Sequence, residues 1–470
     1  MTILKGLALG LAASAAITTT ASAGGFNRGT ANLDGLYATG YHDEPVSAYM
    51  GTTFVAPGRS YDTLTTTIVP ASPAVPGIGL APPIAANPGI SVTQTDVEFS
   101  DDFYVPFASL GLRLSDAARC VGSYSQPYGA DSTYTGAATF SVQSQSIDST
   151  ELGLTCSYGF NVGRGTAYAI GGVFHESLQY QQARDFRVLD TLSRGAVRTG
   201  ATDFSRIDVD GDSAGYRIGA AYEIPELALR ASLIYRSETD YDVEGTFSGT
   251  PFQFVFGARA RGLAAQAQGT FAAAAQVAAT NPGLAAQLSA QATQLQAAAQ
   301  QQGALALGAG TTQSAGAFGS VTLPQSVELN VQSGINPKTL VFGSIRWTDW
   351  SVIQRIDLND TISNAAFTDF EGFFEDGYTV TLGVGRRITE DLAGSFSVTW
   401  DKGVGTGFDT FSDTYTFAGG VGYDLNELVN VRAGGALIYF TEGEQTQGDF
   451  IGVAGEEFGY ALSSSLSIKF

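Results

Sequence analysis

From Phe458 to Phe470 the chain alternates with period two. Phe458, Tyr460, Leu462, Ser464, Leu466, Ile468 and Phe470 occupy one set of positions, and Gly459, Ala461, Ser463, Ser465, Ser467 and Lys469 the other. In a β-strand the two sets lie on opposite faces, so one face is almost wholly apolar and aromatic and the other small or polar. The stretch from 458 to 470 is long enough to cross a bilayer as a tilted strand. Backbone groups in hydrocarbon must be paired, because each unpaired one costs several kcal/mol. The final stretch therefore predicts a closed barrel whose other strands recur upstream.

They do recur. Strands are expected at about 47–62, 101–114, from the turn Ser115-Asp116-Ala117 to Pro127, and at 139–160, 166–181, 213–224 and 227–248. After an interruption they resume at 321–335, 339–356, 375–388, 391–402, 411–424, 428–441 and the terminal stretch. The sum is fourteen, an even number, with every second connection a short turn, as expected for short periplasmic turns and long extracellular loops. The fold class is thus all-β, a transmembrane antiparallel β-barrel with both termini on the periplasmic side. Leu392, Phe396, Val398 and Trp400 oppose Ala393, Ser395, Ser397 and Thr399, and Tyr415, Phe417, Val421 and Tyr423 oppose Thr414, Thr416, Gly420 and Gly422. Arg217, Arg230, Arg236 and Arg432 fall on the polar parity of their strands. They should line the lumen, because arginine on the lipid face costs roughly 2–4 kcal/mol at midplane.

Composition agrees. Charged residues make up 15% of the 470, with 58 Gly, 29 Phe and 20 Tyr, whereas soluble domains carry roughly 25% charge. The net charge of −21 argues against nucleic acid, which needs basic patches. Residues 1–23 read as a secretory signal, with Lys5, the apolar run Leu7 to Ile17 and an Ala21-Ser22-Ala23 cleavage site. Residues 24–46, led by Gly24-Gly25-Phe26, are Gly-rich without alternation and are expected to trail in the periplasm or to form a short luminal plug ahead of the barrel at 47–470. The insert 249–320 reads as a helical extracellular loop. Residues 258–307 are rich in Ala and Gln, Asn281-Pro282 suits a helix start, and Leu284, Leu288 and Leu295 follow at helical spacing. A disordered low-complexity insert is the alternative. The stretch Val69–Ile90, with its prolines, is apolar enough to suggest a capture surface, or equally a stiff spacer touching lipopolysaccharide.

Few residues carry obvious chemistry. Cys120 and Cys156 share a face near the periplasmic ends of neighbouring strands, where an oxidising compartment permits a cross-strand disulfide; two free thiols are the alternative. Asp208, Asp210 and Asp212 lack the rest of a calcium loop and read as a solvated acidic strand entry. His42 and His175 are the only histidines, and no Ser–His signature surrounds them. No cofactor, metal or enzymatic role is expected.

Leu323-Pro324-Gln325-Ser326-Val327-Glu328-Leu329, the turn Asn336-Pro337 and Trp347-Thr348-Asp349-Trp350-Ser351, placed near the middle of the ninth strand, resemble the FadL family of long-chain fatty-acid outer-membrane transporters (OMPP1/FadL/TodX). Gly122-Ser123-Tyr124 through Pro127-Tyr128-Gly129 and Tyr134, and Asp208–Gly215, are similar to it as well. The resemblance implies a monomeric barrel in the Gram-negative outer membrane that passively moves long-chain fatty acids, or aromatic hydrocarbons. Capture would occur at extracellular loops, with sideways exit near an inward-kinked third strand. The family's plug is usually longer and carries Asn-Pro-Ala, which residues 24–46 lack. The terminal Phe470 looks like the assembly signal read by the barrel assembly machinery. Phe26, Arg217, Arg230, Arg432, Trp347 and Trp350 are the candidate ligand-binding residues, the arginines as partners for a carboxylate head group. A general porin and a surface adhesion barrel using the Ala/Gln loop are the competing readings.

Overall fold

The computed structural model describes residues 26–29, 31–37, 44–69, 90–186, 204–249, 252–309, 314–362, 364 and 366–470. The signal segment 1–23, His42 and all but the ends of the apolar stretch 69–90 lie outside the described residues.

Fourteen strands among the described residues close into an antiparallel barrel. They begin with β1 (Val46–Ala56), β2 (Phe103–Arg113), β3 (Ala118–Ser125, resuming as Gly129–Thr133), β4 (Ser144–Val162) and β5 (Gly165–Asp185). Next come β6 (Phe204–Ile224), β7 (Leu229–Arg236 and Thr239–Gly249), β8 (Ser314–Leu323 and Ser326–Asn336) and β9 (Thr339–Thr348 and Arg355–Asp360). The wall ends with β10 (Ala366–Glu371 and Gly377–Arg387), β11 (Leu392–Asp401), β12 (Thr414–Asp424), β13 (Val429–Phe440) and β14 (Glu457–Lys469). Closure is made by β1, which pairs with β14 from Ser47↔Lys469 to Ala56↔Tyr460 and with β2 on its other edge. Every strand thus has two neighbours, which leaves no strand with a wholly free edge in the hydrocarbon.

The alternation sets the two faces. On β14, Phe458, Tyr460 and Leu462 are exposed on the outside, while Ala461 is buried within. On β6 the outward residues change character along the strand. Tyr216 and Ile218 are exposed apolar residues, whereas Asp208, Asp210 and Asp212 lie above them on the same parity. The matching β5 partners are Gln181, Gln179 and Ser177, and glutamine amides from Gln179 and Gln181 reach Asp208 at 3.2 and 3.1 Å. The hydrocarbon band therefore ends near Tyr216, where its ring meets that of Tyr235 at 5.9 Å. The three aspartates lie within β6, not at its entry, because β6 starts at Phe204 and rises above the lipid. The expected sixth strand was short by this polar upper part, where the outward face no longer carries an apolar signal.

Four further strands, Ser60–Val69, Ile90–Glu98, Gly443–Gln445 and Phe450–Ala454, form a small sheet over the outer rim. The insert folds as two antiparallel helices, α1 (Phe252–Val277) and α2 (Pro282–Ala309), and Ser314–Leu323 belongs to β8 rather than to the insert. The Asn281 side chain accepts from the Leu284 N–H at 3.1 Å, capping α2 with Pro282 in its first turn. Ala267 and Ala274 on α1, with Ala292 and Ala299 on α2, are the buried seam, whereas Leu284 is exposed. Alanine at seven-residue spacing lets the helices approach closely, and Leu288 and Leu295 are half-buried on the same face as Ala292 and Ala299. Leu305 and Ala306, near the end of α2, rest on the main aromatic cluster inside the barrel mouth.

Cys120 and Cys156 stand directly opposite each other on β3 and β4, with their sulfurs bonded at 2.08 Å. Their parity is that of exposed Leu152 and Leu154, so the disulfide faces outward.

Candidate functional site

The described N-terminal residues run inside the barrel. They do so because β3 is broken. Pro127 lacks an N–H and restricts the residue before it, so the ladder stops at Ser125 and resumes at Gly129. The freed backbone groups need partners, and the N-terminal segment supplies them. The Gly129 N–H donates to the Phe26 carbonyl, and the Arg28 N–H donates to the Pro127 carbonyl, both at 2.8 Å. Arg28 forms ion pairs with Asp131 and, at 3.0 Å, Asp148. A Cβ at position 129 would lie 2.5 Å from the Arg28 guanidinium carbon, so a larger residue there would push that side chain from its present position. Deeper in, Leu33, Leu36 and Tyr37 pack on Val121, Tyr168, Ile170 and Ala221 of the wall. The Ser157 hydroxyl donates to the Leu36 carbonyl at 2.6 Å.

Phe26 divides the lumen into two chambers. Its ring meets those of Trp350, Phe374 and Phe411 edge-on, with centroids 5.7, 5.6 and 5.6 Å away. Above it lies an outer cavity of about 560 Å³ lined by Phe26, Phe103, Phe370, Phe374, Phe411 and Phe450, among others. Below lies an inner cavity of about 270 Å³ whose lining includes Glu151, Arg217, Arg230, Arg236, Glu328 and Arg346.

The inner charges are largely compensated. Glu151 bridges Arg217 and Arg236, and Arg236 also reaches Glu176 at 2.6 Å. Arg230 pairs with Glu223 at 2.9 Å and Arg346 with Glu328 at 2.9 Å. Buried charges are tolerable only when paired in this way.

The hydrogen-bond ladder of the wall is interrupted between β2 and β3. β2 pairs with the lower piece of β3 only from Ala108 to Arg113. The upper piece of β3 pairs with β4, and a single bridge, Ser100↔Ser132, spans its other side. Phe103 to Phe107 and Ser125 to Tyr128 therefore face each other without a ladder. Pro106 and Pro127 stand on the two edges, and proline belongs at an unpaired edge because it has no N–H to leave unsatisfied. Val105, Pro106, Phe107, Ser125, Gln126 and Pro127 all line the inner cavity, so the opening is continuous with the lumen.

Of the residues singled out from sequence, Phe26, Arg217, Arg230 and Arg432 are brought inside and buried. Arg217 and Arg230 already hold protein carboxylates, and Arg432 lies over the Tyr49 ring at 5.2 Å. Trp350 is fully buried behind Phe26. It lies in a 3-10 turn (Trp350–Val352) at a break in β9, not near the middle of a continuous strand. Trp347 is a correction. It shares the outward parity of exposed Ile345 and its indole N–H donates to Asp376 at 3.0 Å, so it stands on the outer surface and not on the ligand path.

Two residues of the outer chamber escaped the sequence reading. Arg59 follows Pro57-Gly58, where Gly58 has φ +61° and turns the chain between β1 and the rim sheet. Asp409 lies in the β11–β12 loop; burial pushes its carboxyl up to about 7, against the opposing pull of the Phe411 N–H and Arg59. The only sequence signal was a lone arginine after a Pro-Gly break, within a stretch taken as one strand.

Known proteins share this architecture. The family model described as outer membrane protein transport protein (OMPP1/FadL/TodX) matches residues 14–442. No curated protein matches by sequence. A Pseudomonas aeruginosa FadL homologue is 16% identical, with 95% of this chain and 100% of that one covered, at a TM-score of 0.62. The Pseudomonas putida toluene transporter TodX is 12% identical over 99% and 97% of the two chains, at 0.51. The CymD monoaromatic hydrocarbon channel is 11% identical over 97% and 99%, also at 0.51. The chain belongs to the OMPP1/FadL/TodX family of outer membrane transport proteins, as an outer-membrane β-barrel for hydrophobic substrates.

Proposed function

We propose that the protein carries long-chain fatty acids from the outside into the outer membrane, with the outer chamber as capture site and the wall opening as exit. The observation that carries this reading is the contrast at Phe26. An alkyl chain in the outer chamber is surrounded by phenylalanines and gains about 25 cal/mol for each Å² of apolar surface withdrawn from water. Below Phe26 the inner chamber sets paired arginines and glutamates beside apolar residues such as Val105 and Phe107. The gap in the ladder between β2 and β3 borders this apolar side and leads to lipid. The downhill route for an apolar solute therefore turns outward at the junction, and no energy source is needed.

Saturable binding of radiolabelled palmitate to detergent-purified protein, with toluene as competitor, tests the reading. Binding that toluene does not displace supports it. Displacement by toluene moves the substrate class to aromatic hydrocarbons. High ion conductance in planar bilayers with no binding of either would make the protein a porin.

A further inference from the structure

Arg59 is 6% exposed and lines the outer chamber. One of its nitrogens, Nη1, donates to the Thr410 carbonyl at 3.1 Å. Nε lies 3.7 Å from Glu457 Oε2, too far for a hydrogen bond. Nε and Nη2 are both buried without a hydrogen-bond partner. Glu457 is itself engaged by Ser60, whose N–H donates at 2.9 Å and whose hydroxyl donates at 2.5 Å. The guanidinium lies 4.9 Å from the Phe440 ring centroid and 5.7 Å from that of Phe99, so its charge is held among aromatic rings. Asp409, on the same chamber, accepts the Phe411 N–H at Oδ1 at 2.7 Å, while its Oδ2 is buried and unpartnered.

Buried polar atoms are rarely left unpaired, and unpaired donors on a charged group are the costliest. Here Arg59 and Asp409, which own two such donors and a carboxyl oxygen, line a cavity that sets phenylalanines beside carboxylates such as Asp101, Asp369 and Glu371. A neutral hydrocarbon would leave all three unsatisfied. A carboxylate on an alkyl chain would accept from the guanidinium while its chain lay against the rings, and a protonated Asp409 would donate to it as well.

We propose that Arg59 is the head-group subsite of the outer chamber, and that it selects amphipathic carboxylates over neutral chains of equal length. This rests on the outer chamber being the capture site. Arg59 leaves two guanidinium nitrogens without a hydrogen-bond partner, where Arg217 of the inner chamber leaves one.

The test compares palmitate with 1-hexadecanol as competitors for binding to the full-length protein in detergent. The wild type should prefer palmitate by about ten- to hundredfold, the factor expected of a charge-assisted hydrogen bond in a dry site. Arg59→Met should bind the two equally, with hexadecanol affinity retained, and Arg59→Lys should recover part of the preference. Folding of each variant is read from heat-modifiable migration in gels, and the wild-type comparison stands without any variant. Equal binding by the wild type, or a preference that survives in Arg59→Met, overturns the subsite while leaving the capture site in place. Binding of neither ligand by the wild type overturns both.

Discussion

The two chambers of the lumen are built from the same alternating strands yet hold their charged groups differently. The inner chamber fills its inward positions with arginine and glutamate and ties them together, so that little charge is left to act on a solute. The outer chamber sets phenylalanines beside carboxylates such as Asp101, Asp369 and Glu371, and leaves two Arg59 nitrogens and Asp409 Oδ2 without hydrogen-bond partners. One region uses its polar groups to hold the wall together, and the other is the proposed place where they meet a ligand. Counting luminal charges would point to the inner chamber as the site; counting guanidinium nitrogens without a hydrogen-bond partner favours Arg59, with two, over Arg217, with one.

The largest expected effect comes from closing the way out. Gly29 lies at the inner mouth of the wall opening, where an added Cβ would be 3.1 Å from Val105 Cγ1 and 3.9 Å from the Gln126 carbonyl oxygen. Gly29→Phe should fill it. Palmitate uptake by cells is expected to be mostly lost, while binding to purified protein is unchanged. If uptake persists with the opening filled, the solute does not turn sideways there.

Next is the inner network. Glu151→Ala leaves Arg217 and Arg236 buried without their shared carboxylate, a loss of about 3–5 kcal/mol. Urea unfolding in lipid vesicles should show it, while palmitate affinity of the folded protein stays constant. A variant that folds as stably as the wild type but binds poorly would reverse the roles given to the two chambers.

Phe26→Ala removes the floor between them. Ring contacts of this geometry contribute about 0.5–1.5 kcal/mol each beyond area burial, and Phe26 makes several. Palmitate binding should weaken by roughly 1–3 kcal/mol, and ion conductance should rise as the chambers join. Unchanged conductance would mean that the deeper segment at 31–37 alone seals the lumen.

Much of the barrel was legible because its physics is local. Parity along each strand was enough to put Arg217, Arg230, Arg236 and Arg432 inside, and to put Cys120 and Cys156 on one face. Parity fails where strands break. Trp347 and Trp350 were read as a pair, but the turn at Trp350 ends β9 and sends the two indoles to opposite sides of the wall. The ion pairs could not be read either, since Glu151 meets Arg217 and Arg236 only through the registers of β4 to β7. Arg59 and Asp409 come together from connections more than 300 residues apart, with no periodicity to mark them. The rim sheet was missed for a related reason: its strands form a sheet separate from the barrel wall, so no lipid face imposes alternation on them.

The smallest effect concerns Asp409, and it tests whether the outer chamber's polar groups are poised for a ligand. Burial raises this carboxyl to about 7, well above its ordinary value. The groups around it are Arg59 at the end of β1, with Glu457 of β14 behind it, the Phe411 N–H of its own loop, and the hydroxyls of Tyr61 and Tyr134. A raised carboxyl binds its proton more tightly in the folded protein than in the unfolded chain. Ionisation therefore costs stability above about pH 7, and that cost is relieved as the pH falls from 7 towards the ordinary value near 4. The same sign governs binding. Ionised Asp409 repels a carboxylate held by Arg59, whereas the protonated form donates to it. Palmitate stays ionised in this range, as carboxyls ordinarily titrate near 4. Its affinity should thus rise about tenfold from pH 8 to pH 6, the limit for uptake of one proton across a midpoint of 7. Asp409→Asn should bind independently of pH, and hexadecanol, which has no charge to repel, should show little dependence in either protein. A palmitate profile that keeps its slope in Asp409→Asn would assign the proton to another group, and a flat profile in the wild type would separate Asp409 from the ligand altogether.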